Sequence, residues 1–96
     1  MLLAIDVGNT NIQFALYEGA ALTMSFRLST RREATSDEIG LAARNFFQMK
    51  GIDPAGIEEI LVVSVVPPIM HALTRALQGY FGKTPKIVGE DLAVPI

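Results

Sequence analysis

The segment Asp6-Val7-Gly8-Asn9-Thr10-Asn11 gathers a carboxylate, two carboxamides and a hydroxyl around one glycine. The apolar run Leu2–Val7 ends in it and an alternating run begins at Ile12, so the segment reads as a turn between strands. Such a turn has the chemistry of an anion site. Gly8 lacks a Cβ, which lets the backbone turn sharply and approach a ligand closely. Successive backbone N–H groups, with the side chains of Asn9, Thr10 and Asn11, can cradle phosphate oxygens. Asp6 alone would repel a phosphate chain. Mg²⁺ resolves that conflict, because it is held by one or two carboxylates together with waters and phosphate oxygens. Asp6 is therefore the candidate metal ligand, and Gly8–Asn11 are the candidate phosphate contacts. The same residues also suit a plain hairpin turn, in which Gly and Asn only satisfy backbone geometry. The spacing leaves both readings open.

The flanking segments must hold the turn in place. Leu2–Val7 is almost continuously apolar, as in a central strand covered on both faces. Ile12, Phe14 and Leu16 alternate with Gln13, Ala15 and Tyr17. After Glu18-Gly19, Leu22, Met24, Phe26 and Leu28 alternate with Thr23, Ser25, Arg27 and Ser29, a strand with one wet face. These three strands form an antiparallel meander. Thr35-Ser36-Asp37-Glu38 has the capping-box spacing, and Ile39, Ala42, Ala43, Phe46 and Met49 follow at helical spacing until Gly51. Asp53-Pro54 and Gly56 make a connection, and Ile60–Val66 suits a buried parallel strand. Pro67-Pro68 ends that strand and opens a helix whose stripe is Ile69, Leu73, Ala76, Leu77 and Tyr80, stopped by Gly82. Pro85–Val88 reads as a last short strand. The order β-β-β-α-β-α-β predicts an α/β fold: a single ribonuclease-H-like lobe over residues 1–96, its mixed sheet carrying helices on its faces.

Composition narrows the function classes. Half of the 96 residues are hydrophobic and 19% are charged, which excludes a disordered chain. The formal net charge of -2 gives no electrostatic footprint for nucleic acid, and the pair Arg31-Arg32 reads as a solvated loop. The absence of cysteine excludes disulfides, thiolate nucleophiles and Cys-based zinc sites. The apolar start is interrupted by Asp6, so it does not read as a secretory signal, and Ile60–Val66 is too short to span a bilayer. A cytoplasmic protein is expected, with no membrane partner.

The opening MLLAIDVGNTNIQFALYEG resembles the start of type III pantothenate kinases, members of the actin, sugar-kinase and Hsp70 ATPase superfamily. Phe26-Arg27-Leu28-Ser29-Thr30, Thr35-Ser36-Asp37-Glu38 and Ser64-Val65-Val66-Pro67-Pro68 agree with that family in order and spacing. The resemblance covers essentially the whole chain. It implies that Asp6, Val7, Gly8, Asn9, Thr10, Asn11, Ile12 and Gln13 form the first ATP phosphate loop, with Asp6 on the divalent metal. It also implies ATP, Mg²⁺ or another divalent cation, and a monovalent cation such as K⁺ or NH₄⁺. For the complete enzyme it implies a homodimer that phosphorylates pantothenate to 4′-phosphopantothenate, the first committed step of coenzyme A synthesis.

Family members are much longer, with two related lobes and the active site between them. Their Gly-Ala-Asp-Arg segment, whose aspartate is the general base toward the pantothenate hydroxyl, is expected beyond Ile96. Asp91, in Gly89-Glu90-Asp91-Leu92, does not match it, so no catalytic residue is assigned within the chain. The second phosphate motif, the adenosine motif and the monovalent-cation ligands are expected outside the chain as well. Phosphoryl transfer depends on positioning and charge stabilisation, so one lobe alone is expected to be inactive.

Other residues have blander readings. His71 lies away from the apolar stripe of its helix and is expected in solvent. Arg27 and Arg44 read as surface charges, and Met24, Met49 and Met70 as core or near-core fillers. Ser64 is either a small core residue or part of a cleft floor. Two other functions compete: an accessory protein of transcription activation, a label given to proteins of this family, and another small-molecule kinase of the superfamily. The negative charge and the lack of a basic recognition helix disfavour DNA binding. Agreement along the whole chain, Pro67-Pro68 included, disfavours the other kinase.

Overall fold

The computed structural model describes residues 1–63 and 66–88. Strands β1 (Leu2–Val7), β2 (Asn11–Glu18) and β3 (Ala21–Ser29) form the expected meander. Helix α1 (Ser36–Lys50) and a 3₁₀ turn at Pro54–Gly56 lead to β4 (Glu59–Val62), then helix α2 (Pro67–Phe81) to β5 (Lys86–Ile87). The sheet order is β3-β2-β1-β4-β5, with β1 antiparallel to β2 and parallel to β4. The mixed α/β architecture read from the sequence is the one observed.

The helix ends follow local chemistry. Glu38 N–H donates to Thr35 Oγ1 at 3.1 Å while Thr35 N–H donates to Glu38 Oε1 at 3.4 Å, the reciprocal capping box. Arg31 adds an ion pair to Glu38, and together these hold the Glu38 carboxyl below its ordinary pKa. Gly51 ends α1 at φ +68°, a left-handed conformation that only glycine adopts without strain. Proline at the first positions of α2 removes no intrahelical bond, as expected.

The core lies on one face of the sheet. Leu3, Ile5 and Val7 of β1, Ile12, Phe14 and Leu16 of β2, and Ile60 and Val62 of β4 are at most 2% exposed. They form one cluster with Ile39, Ala43 and Phe47 of α1 and Ile69, Leu73 and Leu77 of α2. Aromatic rings fill its β3 side: Phe26 stacks on its cross-strand partner Phe14 at 4.6 Å and on Phe46 at 4.4 Å, and meets Phe47 edge-on at 6.3 Å. On the other face Leu2, Ala4 and Ala15 are half-buried, and Asp6, Gln13 and Arg27 are exposed. Among the described residues β1 is thus covered on one face, not two, because both helices cross on the same side.

Three further expectations are corrected. The buried residues of α1 are Ile39, Gly40, Ala43 and Phe47, so Phe46 is only half-buried and Met49, expected as core, is exposed. Leu22 is exposed because the β2–β3 register slips between Leu16 and Tyr17: Leu16 faces Met24, but Tyr17 faces Leu22. One extra residue reverses the side on which Leu22 emerges. The fourth strand ends at Val62, not Val66, since its parallel register with β1 stops at the pair Ile5 and Val62. Ser64 and Asp91 lie outside the described residues. His71 is exposed, as expected, and Met24 is buried.

Candidate functional site

The turn between β1 and β2 is three residues long, Gly8–Thr10, and it is fastened from two sides. Gly8 N–H donates to the Asn11 carbonyl at 2.9 Å. A Cβ on Gly8 would sit 3.1 Å from that oxygen, so the close approach depends on glycine. Thr30, just past β3, supplies the second clamp: its hydroxyl donates to the Gly8 carbonyl at 2.8 Å and its N–H to the Thr10 carbonyl at 2.9 Å. The backbone N–H groups of Asn9 and Thr10 have no acceptor among the described residues, and both residues are exposed. A turn fastened in this way, with two N–H groups unpaired among the described residues, has the donors that an anion cradle requires.

Strand register supplies the rest of the site. Asp6 pairs with Gln13 across β1 and β2, and Gln13 with Arg27 across β2 and β3. The three side chains therefore form one row on the exposed face, next to the turn. Asp6, Gly8, Asn9, Thr10, Asn11, Gln13 and Arg27 line an open cavity of about 310 Å³. Six of the eight residues expected in the loop meet there. The other two, Val7 and Ile12, are 2% and 1% exposed; their side chains anchor the turn in the core and offer a ligand only backbone.

Arg27 and Thr30 were not singled out as site residues by sequence reasoning. The signal was present in Phe26–Thr30, but the pairing that brings it beside Gly8 is non-local. Thr30→Val is expected to cost about 1 kcal/mol, the ordinary value of one hydrogen bond, and to speed exchange of the two bonded amides of the clamp, that of Gly8 and that of residue 30. Thr30→Ser should retain most of the protection; equal exchange in all three proteins would show that the clamp does not order the loop.

A larger concavity, about 850 Å³, borders α1 and is lined by residues such as Leu41, Asn45, Gln48, Ile52 and Tyr80. It lacks a carboxylate and a glycine turn, so the smaller cavity is the better chemical candidate. Among the described residues no cluster of three His, Cys, Asp or Glu side chains could hold a metal alone. Asp6 instead fits a cation that is shared with phosphate oxygens. No helix among the described residues is long and apolar enough to cross a membrane.

Two solved sugar-kinase structures share the fold with TM-scores of 0.63: the ROK hexokinase of Thermus thermophilus, 18% identical, and a putative N-acetylglucosamine kinase of Porphyromonas gingivalis, 20% identical. The matches cover 90% and 91% of this chain and 32% of each of those chains. The type III pantothenate kinase of Listeria welshimeri is 46% identical over 92 residues, and that of Anaeromyxobacter dehalogenans 43%. Each alignment covers 96% of this chain, which spans 36% of the length of those relatives. The sequence profile of type III pantothenate kinase matches residues 2–96, and with it the chain belongs to the type III pantothenate kinase family.

Proposed function

We propose that the chain is the N-terminal lobe that binds the phosphates of ATP in a pantothenate kinase, the complete enzyme transferring a phosphoryl group to pantothenate. The observation that carries this reading is the fastened Gly8–Thr10 turn, with two N–H groups unpaired among the described residues beside the exposed Asp6 carboxylate. The turn follows the carboxyl end of a central strand, where open α/β sheets commonly bind ligands. In this reading Gly8–Asn11 contact phosphate oxygens, and Asp6 holds Mg²⁺ directly or through water. Val7 and Ile12 act through backbone position. Monovalent-cation binding, pantothenate binding and the homodimer belong to the complete enzyme, in the cytoplasm, with neither nucleic acid nor membrane as partner. The lobe presents one open wall of a site, so it binds phosphate without enclosing two substrates in line, and by itself it is inactive.

The test is a titration of the ¹⁵N-labelled chain with MgATP, followed by amide shifts. Shifts are expected in Asp6–Gln13 and Thr30, and Asp6→Asn should weaken the Mg²⁺-dependent part of binding about tenfold, the loss of one charge-assisted contact. Shifts confined to other surfaces would refute the phosphate-loop reading. A coupled assay with pantothenate should show no turnover; kinase-like rates would refute the inactivity of the isolated lobe.

A further inference from the structure

The Phe26–Thr30 segment runs beside the Gly8 turn, yet the loop reading uses none of its charge. Among the described residues Arg27 is the only cationic side chain lining the cavity beside Gly8. It stands two strands from Asp6, about 10 Å at the usual strand spacing, with Gln13 between them. Its neighbours on the same face of β3, Ser25 and Ser29, are small and exposed, so they leave the guanidinium room to reach the turn. Its side chain makes no ion pair or hydrogen bond with a described residue. Arg31, by contrast, is engaged by Glu38, and Arg44 donates to the Tyr80 carbonyl at 2.6 Å.

We infer that Arg27 is a phosphate-binding residue of this site, its guanidinium taking the polyphosphate oxygens on the side of the turn opposite Asp6. The inference rests on the phosphate-loop reading and deepens it. The chain carries a net charge of -2, and Gln13 brings no charge, so attraction of an anion to this cavity has to be local. A planar guanidinium offers paired N–H donors that match two phosphate oxygens at once, which lysine does not. Asp6 and Arg27 then divide the work: one end of the row binds the metal, the other binds anionic oxygen directly. An exposed arginine on an edge strand also discourages strand-to-strand aggregation, and the test separates the two roles.

The experiment titrates the chain with Mg-tripolyphosphate and MgATP, and with adenosine as a probe that lacks phosphate. Arg27→Gln is expected to weaken both polyphosphates about tenfold or more and to leave adenosine unaffected. Arg27→Lys should recover only part of the loss. Arg75→Gln, the same charge change on α2, should change nothing, and equal thermal midpoints would show that all the variants are folded. Unchanged polyphosphate affinity in Arg27→Gln, with the Asp6–Gln13 amides still shifting, overturns the role of Arg27 and leaves the loop reading intact. An equal loss in Arg75→Gln overturns it too, by reducing the effect to net charge. Absence of polyphosphate binding by the unsubstituted chain overturns both.

Discussion

Truncation of Phe47 to alanine is expected to destabilise the chain by about 3–5 kcal/mol, the range for a fully buried phenylalanine. Phe47 is 0% exposed and meets Phe26 and Phe81 edge-on, at 6.3 and 5.3 Å between ring centroids. It thereby joins α1 to the sheet and to the end of α2. Little of the void can close, because the surrounding residues sit on three separate elements. A domain of this size has roughly 5–15 kcal/mol in total, so the loss is a large fraction of its stability. The melting temperature should fall by about 12 °C or more. Phe46→Ala is the informative comparison. That ring is half-buried and stacked on Phe26 at 4.4 Å, so its removal should cost about 1–2 kcal/mol. Urea unfolding of both variants checks the assignment; a cost for Phe46 equal to that for Phe47 would contradict the packing described above.

Enlargement of Gly40 is expected to be the second largest effect. A Cβ built on Gly40 would lie 2.1 Å from Tyr80 Cδ1 and 2.5 Å from Cγ, atoms at the root of the ring that cannot swing aside alone. Alanine here improves helix propensity by about 1 kcal/mol, while overpacking costs about 1–3 kcal/mol. Gly40→Ala should therefore be mildly destabilising. Gly40→Leu should lose about 3 kcal/mol, because the displaced ring also gives up the hydrogen bond that Tyr80 Oη donates to Asp37 Oδ1 at 2.6 Å.

That hydrogen bond, with a smaller part from burial, raises the Tyr80 pKa above its ordinary value of 10.0. A raised folded-state value means that the contact contributes fully below pH 10 and is lost as pH rises through the folded pKa. In Gly40→Leu the tyrosinate absorbance should rise at lower pH than in the parent. Coupling to Tyr80→Ala in a double-mutant cycle should absorb most of the penalty. Additive costs would place the strain elsewhere in α1.

What was legible in the sequence was local. The capping box at Thr35–Glu38, the stops at Gly51 and Gly82, and the helix start at Pro67-Pro68 depend on residues within a few positions of each other. The chemistry of Asp6–Asn11 was legible for the same reason. The arc of α1 was not. From the 100° step per residue, the observed arc is turned roughly 80° from the predicted one. The cause lies outside the helix: α1 packs on α2 through Gly40 and Tyr80 as well as on the sheet. A single-helix pattern cannot say which second surface it will meet.

The amino-acid sequence by itself determined that a glycine turn bearing a carboxylate, carboxamides and a hydroxyl would close the first hairpin of an α/β lobe. Strand period and cap chemistry act over short separations, and that suffices to specify it. Only the tertiary structure decided which other residues share the site. The pairing of Gln13 with Arg27 and the reach of Thr30 back to Gly8 depend on β2–β3 register, and a bulge near Tyr17 shifts that register within the same pair of strands. Because strand side chains alternate with a period of two, one inserted residue is enough to exchange faces. The composition of the Gly8–Thr10 turn was therefore written locally, while its cationic neighbour Arg27 and its Thr30 clamp arrived through long-range pairing.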